Sequence, residues 1–240
     1  MCAAQYNQES QFEHVFASGH PELAASYWGS ILEYSNYTAG TTNGVGAHLA
    51  ETMASAAKLN GSCPDGYGIL FPCHIAPWGY QSADQSRYNL FNGMYAATIF
   101  LNDYEYTLNK TFATSATYPL IDGFTRFWHC KLQLGADGYL HDTASATQSG
   151  EDSPFEGGNT NDPVTSLALI KRLATFQLRL AEELGLTAPA YVSEMVVKLA
   201  PFATARKRNK DGQLVQVNSP TLNISKNGCS GSESCDPFFL

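Results

Sequence analysis

Basic residues are scarce in this chain. Its 240 residues hold 14 Lys and Arg against 22 Asp and Glu, a formal net charge of −8. That balance speaks against nucleic acid and anionic membrane surfaces as partners, because both are held through clustered positive charge. The one basic cluster, Arg206, Lys207, Arg208 and Lys210, runs into Asp211-Gly212 and reads as a solvated turn. Long apolar runs are missing too. None approaches the ~18 residues that a membrane-spanning helix needs. The segment Met1–Ser10 has neither a basic n-region nor an apolar h-region, so it does not read as a signal peptide. Cys-x-x-Cys and Cys/His ligand spacings do not occur, so no metal site is expected. A phosphate-cradling glycine loop and a Gly-x-Ser-x-Gly nucleophile elbow are likewise missing; no cofactor is expected and no serine triad can be argued. Extended alternation of apolar and polar residues is missing as well, which excludes a fold built on a large sheet.

What is present is a helix-forming, aromatic-rich chain. Hydrophobic residues make up 44%, enough for a sizeable core, and aromatics 12% against only 15% charged residues. Rings that stack on pyranose faces, together with phenol and amide partners for hydroxyls, suit carbohydrate contact. Four Asn-x-Ser/Thr sequons, at Asn36, Asn60, Asn109 and Asn223, fall at expected loops or helix ends, where glycans are tolerated. Six cysteines occur. Cys63 and Cys73 bracket a Pro/Gly-rich loop and Cys229 and Cys235 a Gly/Ser-rich one, so disulfides Cys63–Cys73 and Cys229–Cys235 are expected. Cys130, in an apolar helix, reads as a buried free thiol. Sequons and paired cysteines point to an extracellular, secreted protein. The want of a leader at Met1 is then expected to mean that the start of the gene is missing.

Helical periodicity organises the chain. Pro21 opens a helix with Leu23, Tyr27, Trp28, Ile31 and Leu32 on one face. A second covers about Val45–Leu59, ended by Asn60-Gly61. Residues Ser62–Gln81 form a long aromatic loop carrying His74, Trp78 and Tyr80; loops of that length are usually functional or disordered, and this one reads as functional, at one mouth of the helical assembly. Further helices are expected from Ser82–Asp84 to about Asn102, from Thr111 to Leu134 with a kink or restart at Pro119, from Pro163 to Leu184, and from Pro189 to Leu199. Three antiparallel helical hairpins with long loops at one end predict an all-α fold: helical hairpins forming part of an (α/α)6 toroid. Residues after Asp211 include a β-prone piece, Gln213–Val217, able to form a hairpin. The expected organisation is 1–217 as partial catalytic domain and 218–240 as a Cys-containing tail that starts a further segment.

The densest cluster of reactive side chains is Gly135–Asp162. It contains Asp137, His141, Asp142, Glu151, Asp152, Glu156, Asn159, Asn161 and Asp162. Such a loop can supply the carboxylic acid that protonates a leaving group in glycoside hydrolysis. It can equally be an acidic solvated turn, with Asp162 capping the helix that begins at Pro163. His74 and His141 have no partner set by spacing and read first as structural.

The run Gly19-His-Pro-Glu-Leu-Ala with Tyr27-Trp28 resembles a helix start of six-hairpin glycosidases, above all the α-L-fucosidase family, glycoside hydrolase family 95. Tyr118-Pro-Leu-Ile-Asp-Gly-Phe-Thr-Arg-Phe-Trp followed by Gly138-Tyr-Leu is similar to that family's Tyr-Pro helix and the turn after it. Leu199-Ala-Pro and Asp211-Gly-Gln-Leu resemble its Leu-Pro-Pro … Gly-Gln-Leu run. The resemblance spans about residues 15–217. It implies a carbohydrate substrate, an inverting mechanism and a general acid at Glu151, in the stretch Ser145-Ala-Thr-Gln-Ser-Gly-Glu151. The family's loop reads Ser-Pro-Glu-Asn where this one reads Ser-Gly-Glu-Asp, so Glu156 stands as the alternative acid. Trp78, Tyr80, His74 and Asn161 are the candidate substrate-binding residues. The family's water-activating Asn and Asp segments have no counterpart in the chain, so the 240 residues alone are expected to be inactive. The other reading is a non-catalytic, helical carbohydrate-binding or scaffold protein derived from such an enzyme. Oligomeric state is left open.

Overall fold

The computed structural model describes residues 9–35, 68–69, 71, 90–143, 161–202, 206–208 and 214–216. A short 3-10 turn, Pro21–Ala24, has its proline at the first position, where no amide hydrogen is needed. It leads directly into α1, Ala25–Ser35. Ala24, Tyr27 and Ile31 are buried at spacings of three and four, the stripe that periodicity predicts. The helix expected over 45–59 lies outside the described residues.

Helix α2, Asn92–Thr107, is the central one, with every residue from Asn92 to Leu101 buried except Tyr95. It runs five residues past the expected end at Asn102. Termination comes at Leu108, which takes the left-handed conformation at φ 51° and donates its N–H to the Tyr104 carbonyl. The sequence carries no glycine there to announce the stop. Asn109 then restarts the helix: its side-chain oxygen accepts from the Phe112 N–H at 3.1 Å, a local cap.

The next helix begins as a single turn, α3, Lys110–Phe112. It widens into a π-helical segment, Ala113–Thr117, and continues as α4, Tyr118–Lys131. Pro119 was expected to kink or restart the helix. The wider turn directly before it accommodates the missing N–H and the ring, so the rod continues. Helix α4 ends at Lys131, not Leu134; Gln133–Leu134 form β1, which pairs antiparallel with β2, Leu140–His141. The turn between them uses Gly138 at φ 84°, a backbone region that suits glycine.

Helix α5, Val164–Leu184, ends at Gly185 in the left-handed region (φ 70°), with Leu186 N–H bonding back to the Ala181 carbonyl. Helix α6, Ala190–Lys198, follows Pro189 and packs on α5 and α4. Both match expectation closely. Arg206–Arg208 form β3 and Leu214–Gln216 β4, paired in register Arg206↔Gln216. The β-prone tail does make a hairpin, and the basic residues read as a turn form its first strand.

The class is all-α, with helical hairpins of the kind that build an (α/α)6 toroid and, among the described residues, only two small hairpin sheets. Its core is aromatic. Trp128, Tyr27, Phe71, Phe100, Phe124 and Phe127 are fully buried. Phe100 stacks on Phe112, and Phe71 meets Phe124 edge-on at 5.1 Å. Helices α2 and α4 approach closely at Gly93, where an added Cβ would lie 2.3 Å from the Phe124 ring.

Candidate active-site loop and its anchor

Sequence analysis concentrates reactive groups between Gly135 and Asp162, and the structure describes both ends of that stretch. The described residues stop at Thr143 and resume at Asn161. The two ends are joined. Asp162 N–H donates to the Asp142 carbonyl at 2.7 Å, and Asp142 N–H donates to Asp162 Oδ1 at 2.9 Å. The second carboxylate oxygen of Asp162 takes His141 Nδ1 at 2.7 Å, while His141 Nε2 lies 3.0 Å from Asp137 Oδ1. On the other side, Lys131 from the end of α4 reaches Asp142 Oδ1 at 2.9 Å and also donates to the Thr143 carbonyl. Lys131 and Asp142 are almost completely buried, at 5% and 0% exposure. Strand β2 is held from a third direction by a bridge between Leu140 and Leu199, with Ala200 N–H donating to the Leu140 carbonyl at 2.9 Å.

The electrostatics follow from this geometry. His141 sits between two carboxylates, so its hydrogen bonds to Asp162 and then Asp137 raise its pKa above the ordinary histidine value. Asp137 is lowered in return, first by the His141 bond and then by the Tyr139 N–H. Both shifts favour the ion-paired form. The sequence found no partner for His141; the partners are four residues before it and twenty-one after it, and only the i, i+4 spacing of Asp137 was a readable signal.

The expected capping role of Asp162 is overturned. Helix α5 starts after Pro163, with no side-chain cap, and the Asp162 carboxylate faces His141 and Asp142. Asp162 itself is held at φ 50°. Asn161 is exposed. Glu151, Glu156, His74, Trp78 and Tyr80 lie outside the described residues. Of the aromatic loop 62–81, the described residues run along α4: Ile69 N–H donates to the Gly123 carbonyl at 2.9 Å, and Phe71 is buried against Phe124.

Cysteines 63, 73, 229 and 235 and sequons Asn36, Asn60 and Asn223 also lie outside the described residues. Asn109 is exposed at its helix start, as expected for a sequon. The reading of Cys130 is corrected: it is half-buried on α4 and disulfide-bonded. An apolar helical context describes its neighbours, and it could not reveal a distant cysteine brought to the same face.

A second polar network ties α4, α5 and α6 together. Asp122 pairs with Arg126 at 2.8 Å and accepts from Gln177 at 3.0 Å and Tyr191 at 3.3 Å, while Thr125 donates to Gln177 Oε1 at 2.7 Å. Burial, then the Asp122 charge, pushes the Tyr191 hydroxyl up to about 12. These groups satisfy one another and are structural. Among the described residues, no group of three or more His, Cys, Asp or Glu is placed to hold a metal ion, and no helix is long and apolar enough to cross a membrane.

The chain belongs to glycosyl hydrolase family 95: the model of that family's catalytic domain matches residues 32–221. The protein is therefore of the glycoside hydrolase class, and its substrate is a carbohydrate. No curated relative matches the chain.

Proposed function

We propose that the protein is an α-L-fucosidase-like glycoside hydrolase of inverting mechanism, in which Glu151 protonates the leaving-group oxygen and Glu156 is the alternative. One observation carries this reading. Both carboxyls lie in the sequence between Asp142 and Asp162, and those two residues are hydrogen-bonded to each other. An inverting enzyme keeps its second group ~6.5–9.5 Å from the acid, with a water between them. His74, Trp78, Tyr80 and Asn161 contact the sugar in this reading. Residues 1–217 belong to the catalytic domain and 218–240 to a cysteine-bearing tail. The protein works outside the cell, with glycans at the four sequons and bridges Cys63–Cys73 and Cys229–Cys235; the disulfide at Cys130 supports that compartment.

The test is leaving-group dependence in the full-length protein. Removing a general acid costs ~10²–10⁴ in rate where the leaving group needs a proton. Glu151→Gln is expected to slow hydrolysis of fucosyl-oligosaccharides by that order. It should spare most of the rate on a fucosyl fluoride or an aryl fucoside. Wild-type rates on both substrates would rule Glu151 out and pass the test to Glu156→Gln.

A further inference from the structure

We infer that Asn109 is a built N-glycan attachment site, and that the first N-acetylglucosamine of its glycan lies against Tyr106 and Leu108, the apolar side chains exposed beside it. The inference rests on the reading that the protein is extracellular. It deepens that reading by saying which atom takes the sugar and what the sugar covers.

The sequon Asn109-Lys110-Thr111 stands at the corner between α2 and α3. The main-chain N–H of Asn109 donates to Thr107 Oγ1 at 3.2 Å, and its carbonyl accepts from the Ala113 N–H at 2.9 Å. Its side-chain oxygen accepts from the Phe112 N–H at 3.1 Å. These bonds use every polar atom of the residue except Nδ2. Because the amide is planar, the cap that draws Oδ1 to the helix end turns Nδ2 away from it. Nδ2 is the atom that N-glycosylation needs. It attacks the anomeric carbon of an oligosaccharide carried on a lipid pyrophosphate. The bond from that carbon to the pyrophosphate oxygen breaks, the carbon–nitrogen bond forms, and the amide gives up one proton. Oδ1 is untouched, so the helix keeps its cap once the glycan is attached. Thr111, the hydroxyl residue of the sequon, is exposed.

The surroundings carry the second half of the inference. Every residue from Glu105 to Thr111 is exposed. Tyr106 and Leu108 are apolar within that stretch, at 62% and 65% exposure. Phe16 stacks on one face of the Tyr106 ring, at 6.1 Å and 26°, which steadies the ring and leaves its other face open. Leu108 sits at φ 51°, a region that leucine rarely adopts, and its side chain gains no burial there. A pyranose ring with one apolar C–H face is the surface that fits both. Tyr106 precedes Asn109 by three residues, at most ~11 Å of backbone, within the combined reach of two side chains and one sugar ring. A sugar tethered to Asn109 also covers the patch at high effective concentration.

The experiment uses the full-length protein secreted by a glycosylating eukaryotic host, with glycopeptide mass spectrometry for occupancy and thermal unfolding for the contact. Asn109 is expected to be occupied. Asn109→Asp removes the glycan and keeps an equally good cap; Thr111→Ala removes it and leaves Asn109 in place. Both are expected to lower the melting temperature by about 2–4 °C, the shift that one aromatic contact gives in a chain of this size. In a Tyr106→Ala background the same substitutions should cost almost nothing, because the coupling is gone. If Tyr106→Ala is not secreted, an endoglycosidase that leaves one N-acetylglucosamine on each Asn carries the test. Trimmed wild type should then stay above trimmed Asn109→Asp by the same margin. An unoccupied Asn109 beside any other occupied sequon overturns the inference and leaves the extracellular reading standing. No glycan at any of the four sequons overturns both. An occupied Asn109 whose removal costs nothing, or costs as much without Tyr106, or a margin that vanishes on trimming, overturns the contact.

Discussion

Glu9 is a carboxyl with no exposure, beside Tyr27, whose hydroxyl donates to the Ala96 carbonyl at 2.9 Å and lies 3.4 Å from Glu9 Oε1. Burial pushes its pKa up to about 8. A protonated Glu9 can donate to the Tyr27 oxygen and so avoids a buried charge. Because the folded value is raised, the stabilisation is fully present below the unfolded value of 4.5 and is lost as pH rises through about 8. His141 works in the same direction: its contribution is intact below 6.5 and is lost as pH rises through its raised folded value. Stability is thus expected to decline from mildly acidic to alkaline pH. Glu9→Gln keeps a donor and an acceptor but cannot ionise. It should stabilise the protein at pH 7 by roughly 2–3 kcal/mol and remove most of the slope. Chemical denaturation across pH 5–9 measures this; a slope unchanged by the substitution would show that Glu9 does not carry the proton.

At the scale of elements, α2 and α4 meet where glycine permits close approach. A Cβ at position 93 would come within 2.3 Å of Phe124 Cε1, and Phe124 is wedged between that helix and Phe71. Helix propensity alone favours Ala over Gly by about 1 kcal/mol. Overpacking costs about 1–3 kcal/mol, and here it wins because the Phe124 ring has no free side to move to. Gly93→Ala is therefore expected to lower the melting temperature, whereas Gly29→Ala on α1, where nothing lies within 4 Å of the added Cβ, should raise or preserve it. A stabilised Gly93→Ala variant would contradict the packing account. The helix boundaries teach a related lesson. Where glycine or proline sits at an end, as at Pro21, Gly185 and Pro189, sequence and structure agree. Where the end depends on Leu108 turning left-handed, the sequence reading stops short at Asn102, and where it depends on Lys131 reaching a buried Asp142, the reading runs on to Leu134.

For the molecule as a whole, Cys130 joins α4 covalently to a cysteine outside the described residues. A cysteine forms one disulfide, so the identity of that partner decides whether both sequence-predicted bridges can coexist. Cys2 leaves Cys63–Cys73 and Cys229–Cys235 intact; any other partner excludes one of them. Non-reducing peptide mapping is expected to find the Cys130 peptide linked and unlabelled by thiol reagents until reduction. A freely alkylated Cys130 in the native protein would remove this tether. The polar network around Asp122 is the non-covalent counterpart on α4, holding α5 and α6 to it through Gln177 and Tyr191.

Sequence alone determined the class of this protein. Helical stripes such as Ala24, Tyr27 and Ile31 are local, and the composition that makes them amphipathic also forbids a large sheet. The order of its motifs was enough to place it among the glycosidases that the family match identifies. The concentration of carboxyls between Gly135 and Asp162 was legible for the same reason, since composition is a local property. What only the tertiary structure decided was partnership. Asp162 could cap a helix or hold a histidine, and both fit its place before Pro163. The choice fell to a hairpin that brings His141 and the Asp142 N–H to the spot. Cys130 likewise reads as an apolar neighbour along the chain and becomes a bridge in space. Long-range pairing depends on which surfaces the packed helices bring together, and a one-dimensional pattern carries no record of that distance.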